Sequence, residues 1–79
     1  MEKKQIYITD AKEGQKVTVV TILGGQMAVK RLSDLGLTPQ TEIIILKKIP
    51  YRGPVEIEVR GSNIVVGRGL ASKILVEPE

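Results

Sequence analysis

The chain of 79 residues is long enough for one domain and too short for two, and its formal charge of +3 comes from Lys and Arg spread along the sequence, so no massed polycation marks it for nucleic acid. Cysteine and histidine are both absent, which excludes disulfides, thiolate metal sites, thiol catalysis and imidazole acid–base chemistry. With no run of roughly eighteen apolar residues and no charged-then-apolar leader, the expectation is a soluble cytoplasmic protein without membrane insertion.

The apolar share is 42%, nearly all Ile, Val and Leu, with two Tyr and no Phe or Trp. β-Branched side chains suit a pleated, half-buried surface, so the composition favours strands. In chain order, Met1 to Gln5 is charged and expected to fray. Tyr7 and Ile8 are the first anchors, and Thr9 or Asp10 is placed to cap a single turn over Ala11 to Glu13, which Gly14 ends. Lys16 to Leu23 reads as a strand that alternates cleanly at Val17 and Val19, then turns apolar on both sides at Val20 and Ile22. A bulge, or cover on both faces, explains the change.

Gly24 to Pro39 holds the helix around which the chain is organised. From Met27 onward, helical spacing puts Ala28, Leu32 and Leu35 on one face, with Met27 and Val29 at its edges and Lys30, Ser33 and Asp34 opposite. Gly36 suits the left-handed C′ position, Leu37 is placed to fold back, and Pro39 forbids continuation. So short a helix is marginal alone and must lie across an apolar surface.

Thr41 to Ile49 follows, its Ile43 to Leu46 run suited to a central strand, and Pro50 to Pro54 makes the connection to Val55 to Arg60. There Val55, Ile57 and Val59 face inward while Glu56, Glu58 and Arg60 face water. Gly61 and Ser62 read as a two-residue turn into Asn63 to Val66, with Ile64 and Val66 inward. Gly67 to Ser72 is expected to be one tight turn whose Leu70 and Ala71 plug the barrel, and Lys73 to Val76 a last strand that closes the sheet on the first. The expected fold is mainly β: residues 1–79 as a single small SH3-like or OB-like barrel of five strands, with a short N-terminal helical turn and one short α-helix between strands one and two.

Little in the sequence supports catalysis. Glu56 and Glu58 share a strand face at spacing two, but they alternate with core residues and read as solvated. Asp10, Glu13, Asp34 and Glu42 offer oxygens without the spacing of a calcium loop. Gly24-Gly25 before a helix lacks the Lys-Ser/Thr of a phosphate loop and reads as a strand-to-helix turn. Only Tyr7 and Tyr51 are available as stacking platforms, which disfavours single-stranded nucleic acid and proline-rich peptides alike. The candidate partner-binding residues are Met27, Arg31, Tyr51 and Arg52. Met27 is either a docking thioether or core filler, and Arg31 either reaches a partner carboxylate or lies over the core. Tyr51 and Arg52, beside Lys47 and Lys48, make a basic tip that is either a contact surface or a solvated loop.

The order of Gly14, Val17 and Val19, Gly24-Gly25, Arg31-Leu32, Leu35-Gly36-Leu37-Thr38-Pro39, Ile43, Gly53-Pro54-Val55, Gly61, Ile64, Ala71, Ile74 and Val76 resembles the FeoA family of small ferrous iron transport proteins, from about Asp10 to Glu77. The resemblance implies an SH3-like barrel that acts without cofactor or catalysis beside FeoB, a membrane transporter with a cytoplasmic GTP-binding domain. It ties the chain to transition metal ions, although the residues themselves lack the soft and imidazole ligands for tight ferrous binding. Two positions depart from the family pattern. Gln40 replaces a usual Gly after Pro39, which predicts a type I turn instead of type II, and Arg52 replaces a common Gly, which makes the tip bulkier and more basic. The alternative function is a general interaction or weakly self-associating barrel, such as one related to the C-terminal domain of iron-dependent repressors.

Overall fold

The computed structural model describes residues 4–79, and Met1 to Lys3 of the segment expected to fray lie outside them. Its strands are β1 (Ile6–Tyr7), β2 (Lys16–Ile22), β3 (Glu42–Lys48), β4 (Val55–Val59), β5 (Ser62–Val66) and β6 (Ile74–Pro78). They form one six-stranded sheet in the order β1-β6-β2-β3-β4-β5. The expected count of five strands is thus corrected to six. The two-residue β1 is too short to show a period, and it exists because Ile6 and Tyr7 pair with Val76 and Leu75 of β6. With β1 counted, the helix α1 (Gln26–Asp34) lies between the second and third strands.

The last described strand pairs with the expected first strand, now β2, without joining the sheet into a ring, since β1 and β5 remain its edges among the described residues. β6 lies between β1 and β2 and pairs antiparallel with both, so the two ends of the chain meet in the sheet. Curvature comes from two bulges. The register of β2 against β6 shifts between Val19 and Thr21, and that of β3 against β4 between Ile45 and Lys47. The first shift resolves the change of pattern in β2. With Val20 as the extra residue, Val19 opposite Val76 and Ile22 opposite Ile74 both contribute to the core despite their odd spacing.

The N-terminal turn sits earlier than expected. A 3-10 turn spans Ile8–Asp10 and has no side-chain cap; the Ala11 N–H donates to the Ile8 carbonyl at 3.0 Å. Side chains three apart eclipse in such a turn, and that places both Ile8 and Ala11 in the core, where both are buried. Burial of the pair decides the position over capping by Thr9 or Asp10. A second correction concerns residues 67–72: Arg68–Ala71 forms one α-helical turn, α2, with the Ala71 N–H donating to the Gly67 carbonyl at 2.9 Å. Ala71 is buried and Leu70 packs against the core, as expected of a plug.

Helix α1 ends as its sequence directs. Gly36 takes φ +88°, the Gly36 N–H donates to the Ser33 carbonyl at 2.9 Å, and the Leu37 N–H donates to the Leu32 carbonyl at 2.8 Å. These are the two bonds of a Schellman cap, and Leu32 and Leu37 beside it are both fully buried. The helix enters the core through Leu32 alone. Leu35, expected on the core face, is 44% exposed, because as the C-cap residue it lies where the chain turns so that Leu37 can go in.

Two turns also differ from expectation. The β4–β5 turn is Arg60-Gly61, with φ of 52° and 82°, and Val59 pairs with Ser62. This type I′ geometry matches the strand twist, and the shift from Gly61-Ser62 leaves Ile64 and Val66 on the inward face. At Thr38-Pro39-Gln40-Thr41, the Thr41 N–H donates to the Thr38 carbonyl at 3.1 Å and Gln40 has φ 73°. Positive φ at the third residue makes the turn type II, which overturns the expected type I. Backbone bonds enforce it: the Gln40 N–H donates to the Val19 carbonyl at 2.7 Å, and the Thr41 carbonyl accepts from the Val19 N–H at 2.9 Å.

Two stability measurements check this account. Leu32→Ala is expected to lower unfolding free energy by about 2–5 kcal/mol in a urea titration, and Met27→Ala on the same helix by no more than about 0.5 kcal/mol. Gln40→Gly, which relieves a left-handed backbone, is expected to raise it by about 0.5–1 kcal/mol; a fall would show that the Gln40 side chain supports the turn.

Candidate functional site

Because α1 buries one side chain, most of its surface is free. Met27 is 81% exposed and Arg31 is exposed one turn further on. Residues four apart on a helix share a face, so Met27, Arg31 and Leu35 form a stripe with Asp34 at its margin. Arg31, Asp34 and Leu35 line one side of a cleft of about 340 Å³, and Val65, Val66, Gly67 and Leu70, from the end of β5 and α2, line the other. The cleft therefore lies between α1 and an edge of the sheet. Apolar contact comes from Leu35, Val65 and Leu70. Charge comes from Arg31 and Asp34.

This geometry settles Met27 as a surface residue and puts Arg31 in a concavity. Val65 and Leu70 were not singled out as site residues in the sequence. Val65 is 62% exposed, and its signal was present: an apolar residue at an outward position of an alternating strand.

Tyr51 and Arg52 are elsewhere, at the tip between β3 and β4, and line neither this cleft nor the one described below. The Gly53 N–H donates to the Pro50 carbonyl at 3.2 Å, while Tyr51 and Arg52 carry φ of 60° and 61°. Two successive left-handed residues define a type I′ turn, which ordinarily takes Asn and Gly. Here neither is Gly. Gly53, the next residue, has no room for a side chain, since a Cβ would stand 2.6 Å from Cβ and Cγ2 of Ile49. The tip holds Tyr51 99% exposed beside an exposed Arg52. The four candidate residues thus separate into two surfaces, one on α1 and one on the tip.

A second concavity, about 430 Å³, lies over β2, β3 and β4 and is lined by Lys16, Glu42, Glu58 and Arg60 around Ile44. Lys16 and Glu58 flank Ile44 in adjacent strands. Its two cations and two carboxylates balance, as on a solvated sheet face. Among the described residues no group of three or more His, Cys, Asp or Glu is placed to hold a metal ion, and no helix is long and apolar enough to cross a membrane.

A coiled antiparallel sheet with a helix over one opening places the chain in the class of SH3-like barrels. The FeoA domain matches residues 6–78, and the chain belongs to the FeoA family. A candidate Fe(2+) transport protein A of Methanocaldococcus jannaschii is 43% identical over 67 residues, covering 85% of this chain and 79% of that protein. A crystal structure of an iron uptake regulatory protein, FeoA, is 36% identical with a TM-score of 0.90, covering 96% of this chain and all (100%) of that one. The fold recurs in a manganese-dependent transcriptional repressor with a TM-score of 0.90 at 14% identity, where it spans 44% of the repressor chain.

The tip supplies its own test. Arg52→Gly is expected to raise the urea midpoint, with a gain of a few tenths to about 1 kcal/mol, because Gly adopts the left-handed backbone without a Cβ penalty.

Proposed function

We propose that this chain is a cytoplasmic, non-enzymatic accessory of ferrous iron uptake that binds the cytoplasmic GTP-binding side of a FeoB-type transporter. Membership of the FeoA family supports the setting. The observation that carries the binding role is the stripe of Met27, Arg31 and Leu35 beside the cleft, where exposed apolar area adjoins a guanidinium able to pair with a carboxylate. Exposed apolar area of this kind on a small barrel favours a macromolecular partner. The tip, with Tyr51 and Arg52, is a second and separable contact surface.

Titration of the purified chain against the cytosolic region of the cognate transporter tests the proposal. Saturable binding is expected, weakened about tenfold or more when Met27→Ala and Arg31→Ala are combined, a loss of about 1.4 kcal/mol or more. Tyr51→Ala and Arg52→Ala report on the tip in the same assay. The chain alone is expected to show no nucleotide turnover above background; turnover, or absence of binding to the transporter region, would reject the proposal.

A further inference from the structure

Among the described residues, strand β5 ends one side of the sheet, with β4 as its sole strand neighbour. Its backbone orientation follows from the ladder. Ile45 of β3 faces the β2 side, where its N–H donates to the Gln15 carbonyl at 2.9 Å and its carbonyl accepts from Gly14. Bonding direction alternates along antiparallel strands, so Ile44 and Glu58 bond each other, Ile57 bonds Ile64, and the N–H and C=O groups of Asn63 and Val65 point away from the sheet. The type I′ turn gives the same result, since Val59 and Ser62 close it as a bonded pair.

Sheet edges in soluble proteins are ordinarily blunted by Lys, Pro, a bulge or extreme shortness. The other edge, β1, is two residues long. β5 reads SNIVV, has no charge and no proline, pairs with β4 in unbroken register, and exposes Val65. The cleft beside α1 begins at Val65 and carries Arg31 in its wall. An open hydrogen-bonding edge and an apolar cleft with a cation thus adjoin at one residue.

We propose that β5 is a docking strand: an extended segment of the partner adds to its free edge, seats an apolar side chain between Leu35, Val65 and Leu70, and sets a carboxylate against Arg31. Backbone bonds supply the register and the cleft supplies selectivity, as in other strand-addition complexes. The chain's charge of +3, with Arg31 in the cleft wall beside the single carboxylate of Asp34, matches an acid-bearing segment better than a second copy, which brings the same net positive sign. This inference rests on the proposed function and specifies how the partner is held.

Amide hydrogen exchange, read with and without the transporter's cytosolic region, tests it. The Asn63 and Val65 amides are expected to exchange fast in the free chain and about tenfold or more slowly in the complex. Val65→Pro removes an outward N–H and keeps the bonds to β4; it is expected to leave the melting temperature near wild type and to weaken binding about tenfold or more, as is Arg31→Glu. If Val65→Pro does not fold, the exchange data and Arg31→Glu decide. Wild-type binding that leaves Asn63 and Val65 unprotected overturns the docking strand and spares the proposed function. No wild-type binding overturns both. A dimer in sedimentation that Val65→Pro abolishes assigns the edge to a second copy and overturns the partner segment.

Discussion

The seat of Leu32 inside the coiled sheet is the contact on which the arrangement depends. Its carbonyl accepts the Leu37 N–H at 2.8 Å while both side chains are buried, so one residue ends the helix, aims the exit chain and joins the helix to the core. A nine-residue helix has little stability of its own in water, and this burial fixes it. Because one point suffices, the remaining helical surface is free of structural duty. Met27, Arg31 and Leu35 can face a partner without loss to the core.

The exposed stripe on α1 is therefore a by-product of economical anchoring. A helix that lay flat on the sheet would hide Leu35 and close the cleft against β5. Held through Leu32, α1 forms one wall, and the end of β5 with α2 forms the other. The tip at Tyr51 and Arg52 is built on a different principle. It displays two large side chains by holding their backbones in a conformation that Gly or Asn would adopt more readily, and the confined Gly53 and the bond from Gly53 to Pro50 keep it there. Both surfaces present a cation beside an apolar or aromatic group.

Strong periodicity and punctuation made much of the fold legible in the sequence. The alternation of Val55, Ile57 and Val59, the apolar run from Ile43, and the Gly36–Leu37–Pro39 helix stop each had a single physical reading, and each matches. Failures fell where tertiary contacts outweigh local preference. β1 exists through its pairing with β6, Ile8 and Ala11 drew the N-terminal turn toward the core, and bonds to Val19 hold Gln40 in a left-handed conformation that its side chain disfavours. At the site, Arg31 lines the cleft and Met27 is exposed one turn before it on the same helix face, while Tyr51 and Arg52 do not join them. Val65 and Leu70 were not assigned to the site because, although Val65 is apolar at an outward strand position and Leu70 read as a plug, their partnership across the cleft depends on how the sheet coils.

The interleaving of β6 between β1 and β2 bears on biosynthesis. Strands β1 and β2 have no direct pairing with each other and are joined only through β6, so they stay apart in the sheet until Ile74–Pro78 has been made. Until then β2 to β5 can form only the open meander, its core short of Ile74 and Val76. Loss of β6 would thus do more than trim the sheet: it would leave β1 without a partner and one side of β2 bare.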